Sequence, residues 1–278
     1  MTRIYPIKLV PLHNNMKHMK RLKAALFDLD GTLIASEQQY TEFWSMTGKK
    51  FCPYIADFAY RIKGATLENV LTTYIPETCW EEVTKGINDF EKTMVFPRVK
   101  GAEDFVRDLR SHGVQCFIVT SSAHTKMQIL VEREPEFLSL FDRILTADDF
   151  KISKPDPHCY IFAAEVAGAK RNECIVFEDA FTGLEAGMRS GIFTIGLATG
   201  NTREAIEDKC NFVIDNFDGL DYNELMKIWK ISTDTKRASC NIFCRCSPHR
   251  VISTGSYLRL PTSAKSGTSW LPPTFMMP

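Results

Sequence analysis

Six short, uninterrupted apolar runs constrain this chain more than any other feature: "KAALFD", "VQCFIVT", "RILTA", "ECIVFED", "IFTIGLA" and "NFVID". Each has the length of a strand, and none alternates apolar with polar residues. A strand apolar on both sides must be covered on both faces, which is the condition of a parallel sheet between helical layers. The segments between the runs supply those layers. "GAEDFVRDLRSHG", "HTKMQILVERE", "DPHCYIFAAEVAGA" and "AFTGLEAGMRSG" are amphipathic at helical period. Gly113 and Gly191 stand where a helix ends and a loop leads into the next strand. The pattern predicts an α/β fold, a Rossmann-like doubly wound parallel sheet.

The stretch from Glu37 to Phe96 breaks the alternation. "EQQYTEFWSMTG", "TLENVLTTYI" and "TCWEEVTKGINDFEKTM" read as helices with no strand among them. They predict a small α-helical cap over 37–96, inserted into a core made of 20–36 and 97–230. Residues 1–19 read as an N-terminal extension. From 231 to 278 Glu is absent, basic residues outnumber the single Asp234, and no apolar period persists. That segment reads as a disordered or aberrant tail.

Composition excludes several classes. Lys and Arg together number 34, as do Asp and Glu, so nothing global drives the chain toward nucleic acid or an anionic membrane. No run is long enough for a membrane helix, and the N-terminus lacks the apolar core of a secretory signal. The nine cysteines are odd in number and show no framework spacing, and several lie within the strand-like runs. They predict reduced, buried thiols in a cytoplasmic protein.

In an open parallel sheet, ligands bind beyond the carboxyl ends of the strands. Here those ends are polar. The first run ends in Asp28-Leu29-Asp30, the second in Thr120-Ser121-Ser122, the fourth in Glu178-Asp179, and "SKPDP" places Lys154 after the third. Residues i and i+2 of an extended strand point the same way, so Asp28 and Asp30 can converge while Leu29 faces the core. Four carboxylates in one cleft repel strongly; two unit charges 4 Å apart cost about 4 kcal/mol at an effective dielectric near 20. Lys154 offsets part of this. A hard divalent cation offsets the rest, and Mg²⁺ suits a phosphate site.

Taken together, "FDLDGTL", "IVTSS", "SKPDP" and "IVFEDAFTGLEAG" resemble the four motifs of the haloacid dehalogenase-like phosphotransferase superfamily, in that family's order. The likeness is strongest to the helical-cap subgroup that includes β-phosphoglucomutase and sugar-phosphate phosphatases. The resemblance implies roles. Asp28 is the nucleophile, Asp30 the general acid and base, Thr120 a donor to the phosphoryl group, and Lys154 a partner of Asp28. Mg²⁺ is implied on Asp28, the main-chain carbonyl of Asp30, and Asp179, with Glu178 assisting through water. Ser121 and Ser122 follow Thr120 in the phosphoryl loop. In the cap, Lys92 matches a family lysine, and Lys63 lies within reach of the cleft.

An acid two residues after the nucleophile favours phosphoryl transfer over carbon–halogen cleavage. Two cap positions depart from the mutase pattern. Tyr40 stands where β-phosphoglucomutase has His, and Leu67 where it has an Arg that holds a second phosphate. The expectation is therefore a Mg²⁺-dependent phosphatase for a small phosphorylated metabolite, working as a monomer. A phosphomutase is the alternative, and a non-catalytic binding module the more distant one.

Overall fold

The computed structural model describes residues 21–230. The extension expected at 1–19 and the tail expected at 231–278 lie outside the described residues. Each of the six apolar runs contains a strand: β1 (Ala24–Phe27), β2 (Gln115–Val119), β3 (Arg143–Leu145), β4 (Cys174–Glu178), β5 (Phe193–Leu197) and β6 (Phe212–Ile214). They form one sheet of order β3-β2-β1-β4-β5-β6, parallel throughout. Three features explain why the sheet is parallel. Its strands carry apolar residues on both sides, β1, β4 and β5 are buried along their whole length, and helices separate consecutive strands.

Among the described residues ten α-helices follow in chain order. The insertion after β1 holds α1 (Glu37–Phe51), α2 (Phe58–Arg61), α3 (Leu67–Tyr74) and α4 (Trp80–Glu91). The core holds α5 (Ala102–Ser111), α6 (His124–Arg133), α7 (Pro135–Leu138), α8 (His158–Val166), α9 (Phe181–Ser190) and α10 (Arg203–Ile206). The short α2 has no counterpart in the sequence reading, because four residues are too few to show a period. Gly113 and Gly191 do follow helices, at φ of 73° and 76°, the left-handed region that ends a helix without steric cost to Gly.

Two apolar layers flank the sheet. On one side Phe27 stacks on Phe177 with ring centroids 4.7 Å apart, and meets the edges of Phe105 and Phe141. On the other, Leu26, Phe117 and Val176 pack against Tyr160 and Ala163 of α8. Truncating a fully buried ring such as Phe27 to Ala would cost about 3–5 kcal/mol. The insertion has an apolar cluster of its own, with Trp44, Phe58, Ile62, Val70, Val83 and Ile87 at its centre. It is therefore a small α-helical cap beside a doubly wound core. The chain leaves the core at Ala35 and returns at Pro97, where the Ala35 N–H donates to the Pro97 carbonyl at 2.7 Å.

The strand order places the topological switch at β1, which has β2 on one side and β4 on the other. A crevice opens there beyond the carboxyl ends of the strands. Among the described residues no helix is long and apolar enough to cross a membrane, and the six described cysteines are free thiols.

Candidate active site

Asp28 follows the last residue of β1, and its N–H still donates to the Phe177 carbonyl of β4 at 3.0 Å. The sheet thus fixes its backbone. Leu29 turns into the core at 0 % exposure while Asp28 and Asp30 both line one cavity of about 270 Å³. The chain then reverses tightly. The N–H groups of Leu33 and Ile34 donate to the Leu29 carbonyl, and Gly31 sits at φ 81°. A side chain at Gly31 would be strained by that φ and would collide with the Asp179 carboxylate.

Lys154 lies beneath Asp28. Its ammonium donates to Asp28 Oδ1 at 2.6 Å, to Glu178 Oε1 at 2.8 Å and to the Val119 carbonyl at 3.2 Å, and faces the Tyr160 ring at 5.1 Å. Glu178 is fixed further by the Ala180 N–H, which donates to Oε2 at 2.7 Å. One cation is thus shared by two carboxylates. Burial pushes Asp28 up to about 7, with Lys154 pulling it down and Glu178 and Asp30 pushing it up. Asp179 is raised well above the carboxylate range, first by burial and then by Glu37, against the pull of Lys63.

Asp28, Glu178 and Asp179 each bring a carboxylate oxygen within 4.8 Å of the others, all of them buried. Asp179 Oδ2 is buried without a hydrogen bond of good geometry; its nearest cation is the Lys63 ammonium, 3.2 Å away as an ion pair. Buried carboxylate oxygens, one of them held by no more than an ion pair, are the donor set of a hard divalent cation. The residues therefore fit a metal ion. The sequence reading put Asp28, Asp179 and Glu178 in that role together with the main chain of Asp30.

Asp30 is held differently. It accepts from the Ser36 hydroxyl on Oδ1 at 2.5 Å, from the Ser122 hydroxyl on Oδ2 at 2.9 Å, and from the Lys126 ammonium on both oxygens at 2.6 and 2.5 Å. Burial alone would raise it, but the charge and hydrogen bond of Lys126, helped by the two hydroxyls, hold it below the usual carboxylate value. Thr120 is 1 % exposed at the end of β2, and its hydroxyl accepts from the Ser122 N–H at 3.0 Å. The Ser121 hydroxyl reaches the cap, donating to the Gly64 carbonyl at 3.0 Å.

From the cap, Tyr40, Trp44, Lys63, Leu67 and Glu91 line the cavity. Lys63 pairs with Glu37 at 2.8 Å as well as with Asp179. Tyr40 donates to Glu91 Oε1 at 2.8 Å, and burial, then the charges of Asp30 and Glu91, hold its phenol well above the ordinary value. Lys92 is not brought to the cavity. It follows the last residue of α4, its side chain is 63 % exposed, and its ammonium pairs with Asp89 at 3.0 Å. Its backbone continues the helix, and the face it shares with Asp89 is turned to solvent.

The structure adds residues that sequence reasoning passed over: Ser36, Glu37, Glu91 and above all Lys126. A signal for Lys126 did exist. It stands in the first turn of α6, where the positive end of the helix dipole disfavours a cation. A lysine there needs a nearby anion, and Asp30 is that anion.

The sequence profile of the haloacid dehalogenase-like hydrolases matches residues 22–191. The chain is 30 % identical over 193 residues to validoxylamine A 7'-phosphate phosphatase of Streptomyces hygroscopicus subsp. limoneus, covering 67 % of this chain and 90 % of the relative. It is 27 % identical over 224 residues to glycerol-1-phosphate phosphohydrolase 1 of Saccharomyces cerevisiae, covering 73 % and 86 %. Among solved structures it resembles an Entamoeba histolytica HAD hydrolase of family IA, variant 3, at 25 % identity and a TM-score of 0.64, covering 75 % of this chain and 99 % of that one.

Proposed function

The chain belongs to the haloacid dehalogenase-like hydrolases, and on that footing we propose that it is a Mg²⁺-dependent phosphatase of a small phosphorylated metabolite, a sugar phosphate, working as a cytoplasmic monomer through an aspartyl-phosphate. One observation carries the reading: a buried Asp28, bonded to Lys154 at 2.6 Å, stands beside Glu178 and Asp179 at the mouth of a cavity that also holds Asp30. That is a nucleophile, a cation site and a proton donor around one space.

In the first half-reaction an Asp28 oxygen attacks phosphorus. The ester P–O bond breaks, its electron pair stays on the leaving oxygen, and Asp30, which the negative charge of the bound phosphate helps to protonate against the pull of Lys126, supplies the proton that makes this an alcohol. In the second, Asp30 takes a proton from water as the water oxygen attacks phosphorus and the Asp28–phosphorus bond breaks, releasing phosphate. Lys154 pairs with Asp28 throughout and stabilises negative charge on the phosphoryl oxygens, with Thr120 donating to them. Mg²⁺ on Asp28, Asp179 and the Asp30 carbonyl, with Glu178 behind, would neutralise charge on the same oxygens. Within each of the two steps the transition state is loose, so positioning and charge neutralisation supply most of the catalysis. Ser121, Ser122, Lys63 and Tyr40 form the wall against the substrate.

Hydrolysis is favoured over intramolecular transfer by the cap. Tyr40 has its hydroxyl on Glu91, and Leu67 offers an apolar side chain where a second phosphate would need a cation. The relatives named as phosphatases support the same choice. The test is phosphate release from a panel of sugar and polyol phosphates with Mg²⁺. Asp28→Asn should lower it at least about 10⁴-fold. Unchanged release by that variant overturns the mechanism, and isomerisation without release overturns the reaction class.

A further inference from the structure

The chemistry above gives no task to Lys126. Yet its side chain is 1 % exposed and bears a full charge inside the protein, which is costly unless something holds it. The ammonium has three N–H donors. Asp30 takes two, one on each oxygen, and the Ser122 hydroxyl lies 3.2 Å away for the third. Lys126 does not line the cavity, whereas Asp30 and Ser122, which take its three donors, do. It acts through those side chains.

Its surroundings join two parts of the molecule. The donors' partners, Asp30 and Ser122, belong to the core. The ring facing the ammonium, 4.6 Å from Nζ to centroid, is Tyr40 of α1 in the cap. Tyr40 is itself fixed by its bond to Glu91 at the end of α4. A cation held against a ring gains most when water is excluded, which here requires Tyr40 of the cap to stay against Lys126.

We propose that Lys126 is a positioning residue: it fixes the Asp30 carboxylate in the orientation from which protons are exchanged, and Tyr40 of the docked cap fixes Lys126. The inference rests on the phosphatase reading. It predicts a specific kinetic split, because an aryl phosphate with an acidic phenol needs no proton in the first half-reaction, while the second still needs Asp30 as base.

The experiment is rapid-mixing kinetics of the full chain with p-nitrophenyl phosphate and Mg²⁺, set beside steady-state release from an alkyl phosphate. In Lys126→Met, the burst of p-nitrophenolate should keep its rate within about threefold while the steady-state rate falls roughly 10²-fold. Release from the alkyl ester should fall as far or further, with KM nearly constant. Lys126→Arg should recover at least about tenfold of the loss. Lys126→Gln, which keeps one donor within reach of Asp30, should show the same split in milder form, and it serves if Lys126→Met does not fold. Burst and steady-state phases that slow together, or a steady state that does not slow, overturn the proposal. If the wild-type protein releases no phosphate from either ester, the phosphatase reading fails on its own. A crystal structure of Lys126→Met then decides: Asp30 turned from Ser36 and Ser122 supports positioning, and an unmoved Asp30 overturns it.

Discussion

The site has two poles, each an aspartate above a buried lysine that faces a tyrosine ring. At one, Lys154 bridges Asp28 and Glu178 beside Tyr160; at the other, Lys126 takes both oxygens of Asp30 beside Tyr40. Both aspartates are deeply placed, yet they are driven in opposite directions. Asp28 is pushed up to about 7, and Asp30 is held below its ordinary value. Burial acts alike on the two. What differs is the ratio of donors to acids: one ammonium for two carboxylates at Asp28, an ammonium and two hydroxyls for one carboxylate at Asp30. The first pole is short of positive charge, the condition of a cation site. The second is complete without one.

The comparison can be broken most forcefully at Lys154. Lys154→Met leaves Asp28 and Glu178 buried together without their cation. It should cost about 3–5 kcal/mol in denaturant unfolding of the metal-free protein, and phosphate release should fall at least roughly 10³-fold. Normal stability in that variant would mean that the pole does not depend on the shared charge.

Next in size is Asp30→Asn, which keeps hydrogen-bonding atoms at the second pole but cannot exchange a proton. Alkyl phosphates should be turned over about 10²–10⁴-fold more slowly, and bound Mg²⁺, measured by calorimetry, should change little. A lost cation would place Asp30's side chain in the first pole.

Gly31→Ala tests the steric tie between the turn and Asp179. A left-handed φ and a collision with that carboxylate together should lower stability by about 1–3 kcal/mol, seen in thermal melts, and should weaken Mg²⁺ binding.

The smallest effect is a pH dependence. Without a cation, Asp28 and Asp179 keep their protons to higher pH than an unfolded carboxylate does. The metal-free fold thus holds its stability from these groups at low pH and loses it as pH rises through about 7. A cation must displace those protons, so its affinity rises with pH. Titration of Asp28 alone predicts Mg²⁺ binding about tenfold tighter at pH 8 than at pH 6, or about 1.4 kcal/mol more stabilisation by saturating metal. Melting-temperature gains at the two pH values check this; equal gains would remove the first pole's deficit of charge.

The first pole was legible in the sequence because its parts sit at strand ends. Continuous apolar runs such as "ECIVFED" mark buried parallel strands, and whatever follows them must meet at the switch point. Asp28, Thr120, Glu178 and Asp179 are located in this way. Of the second pole, Asp30, Ser122 and Tyr40 were named from the sequence and Lys126 was not: a lysine in an amphipathic segment looks like a solvated charge, and its place in the first turn of α6 becomes a signal only once that helix start is known. Lys92 lies away from the cavity for a different reason: the sequence does not say which face of α4 meets the core, and Lys92 shares the exposed face with Asp89. Cap residues are harder to place in general. Their positions depend on how short helices such as α2 turn, and four residues carry no period.

The neck between core and cap has a further consequence. The chain departs at Ala35 and comes back at Pro97 close enough for one hydrogen bond, and Ile34 bridges Arg98 alongside. Seen from the sheet, the whole helical insertion is a detour that begins and ends at one point, and it changes neither strand order nor register. The two antiparallel segments are bonded side by side, so the neck is one joined connection and not two separate tethers. Exchanging what lies between Ala35 and Pro97 for another helical module would leave the strand-end carboxylates and Lys154 in place, but it would change the shape of the molecule admitted and take Ser36 and Tyr40 away from the Asp30 pole.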